Sequence, residues 1–260
     1  MDNRTHTGQR IQVIDRAAAI LDALSRYPDS VSLKILAAET GLHTSTTHRI
    51  LSSLCENGFV ERNRTGHYHL GTRLLRLASH ISNTVDIRSV ALPVMQKLRN
   101  ALNESVHLTI REGDEVVYVE KATPNRMMHV QQLIGSRAPL HVTAVGKMLL
   151  GAGGAEACRG YAERTNLPAL TRNTITDLNT LIQHCATAGQ QGYALDNEEA
   201  ELDVGCIGVL IHDASGTAVA GLSVSAPIDR RQPAWIPDIQ SAAQEISERL
   251  GYQPSEDVTP

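Results

Sequence analysis

Three groups of residues in this 260-residue chain have types and spacings that could do chemistry. Cys206 and Ser223 are of nucleophile type. A strained serine turn needs glycine two residues to either side, and Gly221-Leu222-Ser223-Val224-Ser225 has Ser225 in the second glycine's place, in a segment that reads as a strand. Cys206 has no local signature that designates a histidine partner. The eleven histidines include no His-Glu-x-x-His spacing, and the four cysteines (Cys55, Cys158, Cys185, Cys206) form no Cys-x-x-Cys pair. These patterns lead us to expect reduced thiols, no metal, no cofactor and no catalytic residue. A thiol- or serine-dependent hydrolase using Cys206 or Ser223 is the enzymatic alternative.

The second group suits anion binding. Thr143-Ala144-Val145-Gly146 begins a helix, where the free amides of Ala144, Val145 and Gly146 could hold a carboxylate without an arginine. Cys206, Ser223 and Ser225 fall on two strands of one hairpin, and Ser223 and Ser225, two apart, share a face. Met127, Met128, Leu133, Leu140 and Leu222 are candidates for apolar walls. The third group is the polar run Thr44-Ser45-Thr46-Thr47-His48-Arg49 at the start of another helix. Small hydroxyls and terminal amides there allow close approach to bases and phosphates, and Arg49 could hold a phosphate or a guanine edge.

Elements must position these groups. Asp15 to Tyr27 places Ile20, Leu21 and Leu24 on one helical face, and Pro28 stops it. Ser32 can cap a short helix that ends at Thr40-Gly41. The helix carrying Ser45 to Arg49 turns Ile50, Leu51 and Leu54 inward and closes at Asn57-Gly58. Phe59 to Arg62, a turn at Asn63 to Gly66, and His67 to Leu70 make a hairpin whose tip offers Arg62 and Arg64. Two short helices joined by a glycine turn and followed by such a wing form a winged helix-turn-helix, a duplex-groove reader. Leu74, Leu77, Ala78 and Ile81 form an apolar stripe too narrow for a monomer's core, which makes Leu74, Leu77 and Ile81 candidate dimer contacts.

From Asp86 onward a long helix precedes strands at Val106 to Ile110 and Val116 to Glu120, with strand-like sequence again at Met127 to Ile134. Residues 151–176 carry no clear pattern. Leu178 to Ala188 reads as helix, Cys206 to His212 and Ala218 to Ala226 as paired strands, and Pro237 opens a last helix ending at Gly251. Helices flanking an antiparallel sheet make this part α+β.

Composition bounds the partners. A net charge of −4 gives, averaged over the chain, no sign of a nucleic-acid partner. Divided, residues 1–80 carry ten Lys and Arg against seven Asp and Glu, a balance of +3, and the remainder fourteen against twenty-one, a balance of −7. Aromatic residues make up 3%, too few for base-stacking platforms. No signal peptide or spanning run is evident, so the expected location is the cytoplasm, without a membrane partner.

The chain resembles IclR-type transcriptional regulators. The matching residues are Ile14-Asp15-Arg16-Ala17, Gly41-Leu42, Ser45 to Leu51, Gly58-Phe59-Val60 and Tyr68 to Gly71 in the first part. In the second they are Pro139-Leu140-His141, Thr143 to Lys147, Asp196 to Glu199, Gly205 to Gly208 and Leu222 to Pro227. The resemblance runs from about Ile11 to Gly251, in family order. It implies a winged head (11–73) after a flexible start (1–10), a linker helix (74–87), a GAF-like α+β effector domain with an antiparallel sheet (88–255), and a short tail (256–260). It further implies a roughly palindromic double-stranded operator, a homodimer or dimer of dimers, repression as the commoner mode, and a small carboxylate or aromatic acid as effector. Family positions that contact such acids match Ala144, Val145, Asp196, Cys206, Ser223 and Ser225. Where the family often has Pro-Lys, this chain has His43-Thr44, which removes one phosphate contact. The remaining alternative is a small-molecule sensor whose winged head docks a protein.

Overall fold

A computed structural model describes residues 11–82 and 86–253, excluding the side chains of residues 78–82. The chain divides between residues 84 and 85 into two compact units.

In the first unit, α1 (Gln12–Ser25), α2 (Leu33–Glu39) and α3 (Thr44–Glu56) surround a core that includes Ile20, Leu24, Leu36, Leu51 and Val60. Ser32 caps α2, its hydroxyl accepting from the Ile35 amide, as the sequence predicts. α1 begins three residues before the predicted Asp15, which lies in its first turn and favours the positive helix end. Strands β1 (Val60–Arg62) and β2 (Tyr68–Leu70) pair antiparallel as the wing. Asn63 accepts from the Thr65 and His67 amides and so shapes the turn. Helix α4 (Arg73–Ser82) follows.

The second unit is built on a six-stranded antiparallel sheet in the order β5-β4-β3-β8-β7-β6. Its strands are β3 (Ser105–Glu112), β4 (Glu115–Ala122), β5 (Arg137–Pro139), β6 (Ala194–Asn197), β7 (Val204–His212) and β8 (Ala218–Pro227). Alternation divides the sheet into two chemically different faces. Val106, Leu108, Ile207, Val209, Leu222 and Val224 turn to one face, where α5 (Ile87–Leu102) and α9 (Ile236–Arg249) close the apolar core. The other face carries small and polar residues and is covered by α6 (Ala144–Ala152), behind which pack α7 (Gly154–Thr165) and α8 (Leu178–Gln191).

Two expectations fail. Residues 127–134 form no strand; the sheet edge beyond β4 is taken instead by β5, with Glu115 opposite Pro139. Among the proposed apolar walls, Met127, Met128 and Leu133 point to solvent, and Leu140 and Leu222 are fully buried in cores. Leu222 stands between Gly221 and Ser223, so the two-residue period sends it to the α5/α9 side. The patternless stretch 151–176 contains α7, whose Cys158 and Tyr161 reach a second core beneath α6.

Candidate functional site

In the head, α3 sorts its polar run by helical period. Ile50, Leu51 and Thr47 face the core, and the side opposite presents Ser45, His48 and Arg49 to solvent. Thr47 therefore leaves the set of groove-reading candidates: it is fully buried, and its hydroxyl donates back to the His43 carbonyl at 3.2 Å. Thr44 is exposed and Thr46 half-buried. His43 takes the helix N-cap position and contacts the Ser45 hydroxyl through Nδ1 at 3.0 Å. Ser52, one turn beyond His48 and Arg49 on the same face, was missed; its spacing of seven from Ser45 was the available signal. Glu56 ends that face with a negative charge, confining the anion-compatible surface to the first two turns. On the wing, Arg62 is drawn over the Tyr68 ring and donates to the Gly66 carbonyl, whereas Arg64 is exposed at the tip. In α4, Leu77 is exposed and Leu74 half-buried; Leu75, absent from the predicted stripe, is the most exposed of the three, and the side chain of Ile81 lies outside the described ones.

In the second unit the polar sheet face forms two register rows. One runs Ala194, Gly208, Ser223, His107; the next runs Asp196, Cys206, Ser225, Ser105. Helix α6 starts above them because Gly208 and Gly221 have no side chains. A Cβ on Gly208 would lie 2.7 Å from the Val145 nitrogen, and one on Gly221 would overlap the Val145 side chain. The Gly146 amide is already satisfied by the Thr143 hydroxyl at 3.0 Å, so the predicted anion site reduces to the amides of Ala144 and Val145.

Between α6 and the sheet lies a cavity of about 210 Å³ lined by Ala144, Val145, Asp196, Cys206, Ser223 and Ser225 among others. Six of the seven predicted effector-site residues thus meet in one place. Gly146 does not; its Cα packs against the Leu140 backbone. The apolar wall comes from Val116, Tyr118, Val130, Ala138, Leu170 and Val204 rather than from the residues proposed.

Electrostatically the site is poor in mobile charge. The Cys206 sulfur contacts the Ser225 hydroxyl at 3.1 Å, and that hydroxyl reaches His107 Nδ1 at 3.2 Å. Burial pushes the Cys206 thiol up, keeping it protonated, and lowers His107 to about 4, keeping its ring neutral. Burial also raises Asp196 to about 6, although one of its oxygens accepts from the Glu199 amide at 2.8 Å. Behind α6, Lys147 and Glu199 form a buried ion pair, with Nζ 2.5 and 2.6 Å from the two carboxylate oxygens. Arg231 supports the Asp196 turn by donating to the Asp196 carbonyl and the Asn197 side chain. His107, Tyr118 and Arg231 escaped the sequence reading, and Lys147 and Glu199 entered it as matching residues without a role or a pairing. For His107 the signal was present: Ser105, His107 and Thr109 alternate with Val106 and Leu108.

A winged helical head, joined in sequence to an α+β unit whose sheet encloses a small polar cavity, defines the class of ligand-responsive regulators of transcription. The chain belongs to the IclR family. Its residues 79–250 match the model of the bacterial transcriptional regulator IclR C-terminal domain, and residues 13–64 match the IclR helix-turn-helix domain. It is 31% identical over 245 residues to the HTH-type transcriptional regulator KipR of Bacillus subtilis, covering 93% of this chain and 98% of that protein. It is 33% identical over 248 residues to the HTH-type transcriptional repressor AllR of Salmonella typhimurium, covering 94% and 91%. Among solved structures, an IclR homolog from Microbacterium hydrocarbonoxydans complexed with 4-hydroxybenzoate superposes with a TM-score of 0.60 at 26% identity, covering 92% of this chain and 98% of that one. The chain is a DNA-binding transcriptional regulator.

Proposed function

We propose that this regulator is a cytoplasmic repressor that binds a roughly palindromic operator as a dimer or dimer of dimers, and that a small organic acid in the second unit's cavity controls it. The observation that carries the reading is the division of α3: its core residues are sequestered while Ser45, His48 and Arg49 stand together at the positive helix end. The effector part rests on the convergence of Ala144, Val145, Asp196, Cys206, Ser223 and Ser225 on one cavity. A hydrolase role for Cys206 or Ser223 is disfavoured: the thiol is held protonated, and Ser223 lies within strand β8 rather than on a sharp turn. Repression follows the named repressor among the relatives, and the domain limits 11–73, 74–87 and 88–255 carry over as the working division.

A mobility shift with the DNA upstream of the chain's own gene tests the reading. A retarded band that weakens in Arg49→Ala by about 1–3 kcal/mol supports it. Absence of retardation at any salt concentration refutes it.

A further inference from the structure

We infer that the cavity is a charge filter: it accepts a monocarboxylate bearing a neutral hydroxyl or amide donor about 7 Å away, roughly one strand rung, and Asp196 excludes a second anionic group. This rests on the effector reading above and adds the charge class of the ligand.

The cavity has two poles. At one, the amides of Ala144 and Val145 open the nine-residue helix α6 without intrahelical acceptors. Beside them Ser223, 7% exposed, lines the cavity with its hydroxyl bonded to no other described residue. That hydroxyl opens to the cavity and is not engaged by the protein, which leaves it able to donate to a ligand acceptor. The other pole lies one rung along the strands, where Asp196, Cys206 and Ser225 share a register row. Asp196 is 2% exposed and lines the cavity, its carboxyl accepting from the Glu199 amide and meeting the Cys206 thiol, with acceptor capacity left over. A ligand hydroxyl or amide N–H can donate to it.

Among the described residues, the one lysine or arginine on the cavity lining, Arg137, is paired with Glu112 and Glu115. Lys147 is paired with Glu199, and Arg231 and Lys121 lie off the lining, held by the Asp196 carbonyl and Asn197 and by the Gln132 carbonyl. His107, reached through Ser225, is neutral, Cys206 is a thiol, and Glu201 on the lining adds negative charge. Like charges this close in a low-dielectric site repel strongly. The volume of about 210 Å³ sets the length scale, because an empty cavity of roughly 150 Å³ already holds a benzene ring.

Two isosteric pairs test the filter at two lengths: succinamate against succinate, and 4-carbamoylbenzoate against terephthalate. The members of each pair share a shape, and the diacid puts a second charge, without a donor, where the other member has a neutral amide donor. Calorimetric titration at pH 8 should show the amide of at least one pair binding tenfold or more tighter than its diacid, with the preference collapsing toward unity in Asp196→Asn. Should that variant fail to fold, the terephthalate pair measured on the wild-type protein at pH 6, where the aromatic diacid stays ionised, provides the second measurement: Asp196 is then partly protonated and the diacid should gain several-fold relative to the amide. Equal binding of amide and diacid at pH 8, or a preference that survives in Asp196→Asn, overturns the filter and leaves the effector reading standing. If no member of either pair binds at millimolar concentration, the anion pole is wrong and the effector reading falls with it.

Discussion

Asp196 and His107 lie on neighbouring rows of the same sheet face, and folding moves their pKa values in opposite directions. Asp196 is raised to about 6, so its contribution to stability is complete below the ordinary carboxyl value and is lost as pH rises through 6. His107 is lowered to about 4, so its contribution is complete above the ordinary imidazole value and is lost as pH falls toward 4. Asp196→Asn should therefore make the ligand-free protein more stable at pH 8, by up to about 3 kcal/mol, with the gain shrinking at pH 5. Urea denaturation at the two pH values checks this; a constant difference would show that Asp196 is not held in its acid form by burial. His107→Gln should remove the loss of stability that the wild-type protein shows between pH 6.5 and 4. Neither shift was legible in the sequence, because burial belongs to the packing of α6 and not to the local residues. The presence of a polar face was legible, through the alternation of Ser223 and Ser225.

At the scale of elements, two glycines decide where α6 can sit. Gly221→Ala would drive a methyl into Val145, and the expected result is a loss of about 1–3 kcal/mol in chemical denaturation together with impaired carboxylate binding. Wild-type stability in that variant would mean that α6 moves freely on the sheet. Behind the same helix, removing one partner of the Lys147–Glu199 pair, as in Lys147→Ala, should cost about 3–5 kcal/mol by stranding a buried charge. Replacing both with apolar residues of similar volume should cost much less. In the head, the exposed Leu75 and Leu77 of α4 carry the dimer proposal. Leu77→Glu should shift the protein toward monomer in analytical ultracentrifugation, and an unchanged dimer that still retards operator DNA would remove α4 from the contact. Element types were mostly readable from periodicity and caps. The strand expected at 127–134 was not, because apolar content without a free sheet edge to pair with produces a loop.

For the whole molecule, the net charge of −4 conceals a +3 head and a −7 remainder. So small a positive balance makes operator affinity depend on a few placed contacts and on doubling them by dimerisation. In a salt titration, Arg49→Ala should lower the slope of log K against log salt by about one if Arg49 holds a phosphate, and weaken binding selectively at one base position if it reads a base. The sequence by itself determined the two units, the winged head and the α+β body, because caps, turns and periodicity are local properties, and it named six of the residues that line the cavity. Only the tertiary structure decided which of those residues face the work. It buried Thr47, bound the Gly146 amide to Thr143, sent Leu222 to the opposite core, and brought His107 and the Lys147–Glu199 pair to the site from distant segments. Contacts between residues far apart in the chain are fixed by strand order and helix packing, and no window of sequence contains them.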